Sequence, residues 1–490
     1  MAAEFLVTGW RGVAWRAVLV WIGVSMAALA AANPIIEENA KPGDDTWGLD
    51  VLAEESLGKI KGYASATSVN KGGSITFYVS VNAPQKYSID IYRMGWYGGA
   101  GGRLVRSAAG LSGIKQKAPV LNATTGLVWC PWTASYVLTI PTDWVSGIYF
   151  AKLTDTAGYQ NYIQFAVRDD ARTADFLYQQ PVTTYQAYNA YPDDGVKGKS
   201  LYSYSSWGDV TIAGDKRAVK VSFDRPYTND GAGFFFGWEH GLIMWLEREG
   251  YDVSYATDID LHVQGSALIK RYKALISAGH DEYWSKQMYD AAVAGRNAGV
   301  DLAFMGSNAV FWQIRLGAGR FRVPNRVVVC YKDASIDPTT SAARKTILWR
   351  DVGRPEQTLI GVQYRTYNRF TYDGSTHSDY IVRNSDHWAY ANSGFTNGDR
   401  VSALVGYEVD SLDPSYPMPA NLSYTLLSSS PFTDYYGDNV VANSSIYQAR
   451  SGAWVFATGT MSWSWGLNHP AFENDGIKQT TRNVLNKFLE

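Results

Sequence analysis

Gly279, His280, Asp281, Glu282, Tyr283, Trp284 and Ser285 concentrate more reactive side chains than any other short stretch of the chain. An imidazole, two carboxylates and a phenol follow one another directly after the apolar run at 272–277, and a helical pattern begins near Ser285. An apolar run of that length between polar segments suits a central parallel strand. The turn from such a strand into a helix holds acidic groups against the helix N-terminus, whose unpaired N–H groups favour anions. Two readings stand side by side. Either these side chains work on a ligand, or Asp281 and Ser285 only cap the helix while Tyr283 and Trp284 pack. Position favours the first, because open α/β sheets bind ligands beyond the carboxyl ends of their strands. Two further strand ends carry polar residues, Thr257-Asp258 and Ser307-Asn308. Ser307 also admits a hydroxyl nucleophile, but no Gly-x-Ser-x-Gly elbow surrounds it.

Those strand ends presuppose a sheet, and the surrounding pattern supplies one. Trp238, Leu242, Trp245, Leu246 and Glu249 lie at helical spacing and Gly250 stops the run. Strand-like residues 252–255, 272–277 and 301–305 alternate with helical segments, which predicts a parallel α/β sheet within residues 172–490. Residues 327–413 read as strands and long polar loops. A strand at 453–458 and an amphipathic helix at 475–489 close the chain, with Ile477, Val484, Leu485 and Phe488 turned inward. Residues 62–167 have period two instead. Ile75, Phe77, Val79 and Val81 alternate with Thr76, Tyr78 and Ser80, and Ile89 and Ile91 with Ser88, Asp90 and Tyr92. Further runs at 136–140, 148–153 and 162–167 complete a predicted Ig-like or fibronectin-like β-sandwich over residues 51–168. A charged stretch at 168–173 marks the boundary, and polar residues 33–50 read as a leader strand or linker.

Composition narrows the function classes. Of 490 residues, 46% are hydrophobic and only 18% charged, so folded domains are expected over most of the length. The net charge is −2 and no basic run follows the N-terminus, which argues against nucleic acid as a partner. The 33 Tyr and 18 Trp suit strands and wet clefts, including clefts that face carbohydrate. Cys130 and Cys330 fall in different predicted domains and admit either one disulfide or two buried thiols. Arg11 and Arg16 precede the apolar run 17–30, and Ala28, Ala30, Ala31 and Ala32 form a small-residue cleavage pattern. A secretory signal over residues 1–32 is therefore expected, with an uncleaved anchor as the other reading. No later segment is long and apolar enough to span a membrane.

The run GHDEYWS, with WLEREGYDV before it and VGYEVD after it, resembles the large (beta) subunit of N,N-dimethylformamidase and its exported relatives. The stretches NPIIEENAKPG, IDIYRMGWYGG, VSFDRPY and MSWSWGL resemble the exported relatives in the same order along the chain. The resemblance implies a class I glutamine amidotransferase-like, flavodoxin-like α/β domain without that fold's cysteine nucleophile; Ser307 and Asn308 stand at the corresponding strand end. It also implies a hydrolase whose mononuclear iron is held by two tyrosines and a glutamate, hard anionic ligands that suit ferric iron. Tyr283 matches one tyrosine and Glu408 the glutamate. The second tyrosine falls where this chain has Trp238-Glu239-His240-Gly241, so His240 is expected as a nitrogen ligand in its place. His280 is then expected to move protons as a base or to donate behind a ligand, and Asn308 to donate to an oxyanion. The expected function is an exported, iron-dependent hydrolase of a C–N amide bond, with homo-oligomers left open. The alternative is a non-catalytic module that grips a surface polymer through aromatic-rich stretches 185–191 and 202–207.

Overall fold

In the computed structural model, which describes residues 33–194, 197–202, 217–369, 371 and 373–490, the period-two segment forms two facing sheets. The expected signal at 1–32 and most of the aromatic stretch 202–207 lie outside the described residues. Strands β1 (Lys61–Ala64), β2 (Ser68–Asn70), β3 (Ser74–Ser80), β4 (Gln85–Met94), β5 (Gly102–Gly113), β6 (Tyr136–Thr139), β7 (Gly147–Asp155) and β8 (Gln160–Arg168) make them up. One sheet has the order β1-β3-β6, the other β2-β8-β7-β4-β5. In β3 the inward set is Ile75, Phe77 and Val79, all buried, while Thr76, Tyr78 and Ser80 keep solvent contact. These residues meet Ile89, Ile91, Leu153, Ile163 and Phe165 of the facing sheet in one apolar cluster.

A second, seven-stranded sheet contains β9 (Phe176–Gln180), β10 (Val253–Thr257), β11 (Ala274–Gly279), β12 (Asp301–Gly306), β13 (Asn421–Leu426), β14 (Ser445–Ala449) and β15 (Trp454–Ala457). Its order is β10-β9-β11-β12-β15-β14-β13. The first five strands of that order run parallel, and β14 and β13 add an antiparallel edge. The molecule is strand-rich and built from several sheets, with the parallel core confined to five strands.

Helices fill in around this sheet. Residues 33–50, expected as a leader strand or linker, begin instead with helix α1 (Pro34–Asn39). The Asn33 side chain caps it by accepting the Ile35 N–H, Pro34 supplies a preset first turn, and Ile35 is buried. Helix α2 (Val182–Tyr188) follows β9, and α3 (His240–Arg248) precedes β10. Helix α4 (Lys286–Asn297) is capped by the Ser285 hydroxyl on the Met288 N–H. Closing helix α5 (Asp475–Leu489) buries Ile477, Val484, Leu485 and Phe488, as its spacing predicts. Burial of side chains of that size contributes ~1.5–3 kcal/mol each.

The sandwich and the α/β sheet share a core. Tyr92, Met94, Ile148 and Phe150 of β4 and β7 pack in one cluster with Phe235, Leu242, Trp245 and Tyr178. Both cysteines are buried free thiols, so the disulfide reading does not hold. Among the described residues no helix is long and apolar enough to cross a membrane.

Candidate functional site

Two glycines set the floor of the site. Gly279 and Gly306 are register partners at the carboxyl ends of β11 and β12. A Cβ on Gly306 would lie 2.0 Å from the Gly279 carbonyl oxygen, so only glycine lets the two strand ends leave the sheet this close together. Gly279 itself has φ +65, in the left-handed region, and turns the chain so that His280 follows. Asn308 (φ +52) makes the matching turn at the next strand end.

The chain between these ends is pinned from three sides. The N–H groups of Glu282 and Tyr283 both donate to the Thr184 hydroxyl oxygen on α2, at 3.0 and 3.3 Å. Tyr188, one turn later on the same helix face, donates its phenol to Glu282 Oε2 at 2.8 Å. The Asp281 carboxylate accepts from Gln179 and Ser277, both at 2.7 Å, while Val310 N–H and Phe311 N–H donate to the Asp281 and Glu282 carbonyls. Asp281 Oδ2 is therefore committed to holding the turn, while the buried Oδ1 has no hydrogen-bond partner. Residues 283–285 extend along residues 312–314 as a short parallel pair before Ser285 caps α4.

The pinned turn forms one wall of a cleft of about 500 Å³, also lined by Tyr202, Tyr364, Tyr367, Tyr407, Glu408 and Tyr436. His280 is fully buried behind it, with Nε2 3.0 Å from Glu408 Oε2 and 3.2 Å from Glu282 Oε2. These are ion-pair distances, but neither oxygen lies on the line of a hydrogen bond from the ring, and Nδ1 has no partner. Burial disfavours the charged imidazole; the carboxylates of Glu408 and Glu282 outweigh it and push His280 up to about 10. Burial likewise raises Glu282, and the facing imidazolium with Lys332 reverses this and lowers it. Aromatic rings of Tyr188, Phe234 and Tyr407 surround the imidazolium, a setting that favours a cation. That raised value favours the protonated imidazole at neutral pH.

Phenols complete the cluster. Tyr202 Oη lies 3.0 Å from both Glu282 oxygens, 2.8 Å from Tyr188 Oη and 2.7 Å from Tyr283 Oη. Lys332 Nζ sits 3.6 Å from the Tyr202 ring centroid. Asn308 is bound through its donors: Nδ2 reaches Glu408 Oε2 and its N–H reaches Asp410 Oδ1, both at 2.8 Å. Its Oδ1 is buried and without a partner, so the open valence beside the cleft is an acceptor.

Four of the expected site residues, His280, Tyr283, Asn308 and Glu408, come together here. His240 does not join them. It opens α3 and is buried against the sandwich, where its Nε2 contacts the Gly101 carbonyl at 2.8 Å and its ring packs on Trp47, Phe235 and Phe236. Burial holds it down at about 4, and it packs as a neutral ring. Ser307 is spent as well, since its hydroxyl donates to the Glu408 carbonyl at 2.6 Å. The aromatic-rich stretches 185–191 and 202–207 mark Tyr188 and Tyr202 for a polymer grip, and nothing in their spacing assigns them to Glu282, where the structure places them. Among the described residues no group of three or more His, Cys, Asp or Glu is arranged to hold a metal. The oxygen donors at this site are phenols around a carboxylate.

A strand-rich α/β protein with a sandwich on its N-terminal side and an acid–imidazole–phenol cleft at the parallel strand ends is the class so defined. The family model for the N,N-dimethylformamidase beta subunit-like C-terminal region matches residues 88–478, and the chain belongs to that family. It is 25% identical over 428 residues to the N,N-dimethylformamidase beta subunit of Alcaligenes sp, covering 74% of this chain and 55% of that protein. The corresponding subunit of Paracoccus aminophilus is 24% identical over 429 residues, with the same coverage of 74% and 55%. The chain therefore spans about half the length of the curated relatives it matches. Among solved structures, a thua-like protein from Bacteroides uniformis is 12% identical, covers 50% of this chain and 84% of its own, and has a TM-score of 0.29, too low to bear on the fold.

Proposed function

We propose that this protein is a hydrolase that cleaves a C–N amide bond in the cleft between Glu282 and Glu408. The observation that carries this is His280, buried with Nε2 facing the Glu282 and Glu408 carboxylates directly behind an aromatic-lined cleft. Hydrolysis adds water to the carbonyl carbon, breaks the C–N bond and requires a proton on the departing nitrogen. In this reading Glu408 takes the proton of the attacking water, His280 supplies the proton to the amine, and Asn308 Oδ1 accepts from the substrate to orient it. The strand order of the parallel part, second-first-third-fourth-fifth along the chain, supports a doubly wound, flavodoxin-like reading, with the site beyond the strand ends.

The donor set also suits the iron that the family resemblance implies. Tyr202, Tyr283 and Glu282 offer two phenols and a carboxylate whose oxygens lie 2.7 and 3.0 Å apart, the spacing of neighbouring ligands around one small cation. Of the expected ligand set, Tyr283 is kept, His240 is dropped because of its position, Glu282 stands in place of Glu408, and Tyr202 is added. Iron so held supplies Lewis acidity, which polarises an amide carbonyl and lowers the pKa of water. Export belongs to the same proposal and rests on the pattern at residues 11–32; the mature N-terminus is then expected near Asn33.

Metal analysis of the purified full chain tests this reading. Stoichiometric iron with a phenolate-to-iron absorption band, lost in both Tyr202→Phe and Tyr283→Phe, is the expected outcome. Absence of any transition metal, with no amine released from small amides, would sink it. The second reading, a non-catalytic grip on a surface polymer, draws on the rim, where Tyr435 and Tyr436 are 56% and 68% exposed and pack on Tyr367. Polymer binding without turnover would favour it.

A further inference from the structure

The seam between the sandwich and the α/β sheet encloses a second space, unconnected with the chemistry above. A partly enclosed cavity of about 30 Å³ is lined by Gly62, Tyr63 and Ala64 of β1, Tyr162–Gln164 of β8, Gln180 and Gln186, and the residues around Arg225. Arg225 is 1% exposed. Its terminal nitrogens donate only to main-chain carbonyls, those of Tyr191 and Lys199 at 3.0 Å and of Asn189 at 2.6 Å. Among the described residues it has no carboxylate partner. The neighbouring Asp224 is committed to Arg326, at 2.9 Å. A buried guanidinium without a counter-charge is costly, and burial pushes Arg225 down to about 10.

Three atoms of residues lining this one cavity are buried and lack partners: Arg225 Nε, Gln164 Nε2 and Gln180 Oε1. Gln180 Nε2 donates to Gln164 Oε1 at 3.0 Å, which fixes the Gln164 amide so that its donor end is the free one. Two unpaired donors, one of them cationic, and the unpaired acceptor Gln180 Oε1 thus border a space the size of a single small ion or water. We infer that this cavity is a structural site for a monovalent, halide-sized anion, chloride in a physiological medium, which neutralises Arg225 and ties β8 to the elements after β9. Gln164 stands on β8 of the sandwich and Arg225 well beyond β9, so an ion here ties the sandwich to that later segment. An anion bound only by the folded state stabilises by mass action, and the gain follows the occupancy of the site.

Crystals of the full chain grown in bromide test this directly. The expected result is an anomalous bromide peak within hydrogen-bonding distance of Arg225 Nε and Gln164 Nε2. In solution, the melting temperature should rise by several degrees when chloride or bromide replaces gluconate at constant ionic strength. Gln164→Leu, which removes a donor while keeping the guanidinium, should shift the halide concentration needed for that rise at least tenfold upward. Ordered water at the site with no anomalous signal, or equal melting temperatures in gluconate and chloride, would overturn the inference. Neither readout requires an Arg225 variant to fold.

Discussion

Arg93 and His280 are both fully buried cations facing carboxylates, and they are housed in opposite ways. Arg93, on β4, grips Glu247 of α3 through two hydrogen bonds, at 2.7 and 2.9 Å. Each Glu247 oxygen accepts a second donor, Tyr255 Oη at 2.7 Å and Asn39 Nδ2 at 2.8 Å, so the carboxylate is saturated. His280 instead faces two carboxylates off the hydrogen-bond line, with Nδ1 and the nearby Asn308 Oδ1 left open. A buried pair whose carboxylate is saturated ties the sandwich to α3, with Arg93 Nε as its one open position. An under-satisfied one beside a cleft keeps its unspent interactions for a ligand.

Breaking each cluster should separate these roles. Arg93→Met strands the Glu247 carboxylate without its counter-charge and should cost about 3–5 kcal/mol of unfolding free energy in urea titrations. Adding Glu247→Leu should recover much of that loss. Glu408→Gln should do the reverse, lowering amide turnover roughly 100-fold or more while the urea midpoint moves far less than in Arg93→Met. Asn308→Gly keeps the left-handed turn and removes the free acceptor; turnover should fall roughly tenfold, mostly through KM. The smallest effect concerns a group outside both clusters. Asp301, which accepts the Trp454 N–H, is pushed up to about 7 by burial. A raised carboxyl contributes stability that is fully present below its unfolded value and is lost as pH rises through about 7. Asp301→Asn should therefore flatten the decline of melting temperature between pH 5 and 8.

The same contrast separates what local spacing discloses from what only the fold brings together. Period-two runs such as 75–81 and the closing helix at 475–489 depend on local spacing, and the sequence alone exposes their buried faces. The turn after β11 is legible too, because apolar run, polar cluster and cap are contiguous. Tyr188, Tyr202 and Lys332 reach Glu282 from other elements, and nothing in their local spacing says which carboxylate they meet. His240 departs from its expected role for the same reason. An amphipathic helix announces that one face is buried, not whether the sheet or the sandwich covers it. Helix α1 is hidden by its brevity, since Pro34 and polar neighbours resemble a linker until Ile35 and Glu38 find partners on α3 and β5.

Whether the cleft beside His280 cleaves amides is read from amine release by a panel of small and glycan-linked amides. The wild-type full chain should release amine with saturation kinetics, Glu408→Gln and Glu282→Gln should be nearly inactive, and Arg93→Met, held below its melting temperature, should retain turnover. No release from any amide, or undiminished release by both glutamine variants, would contradict the account.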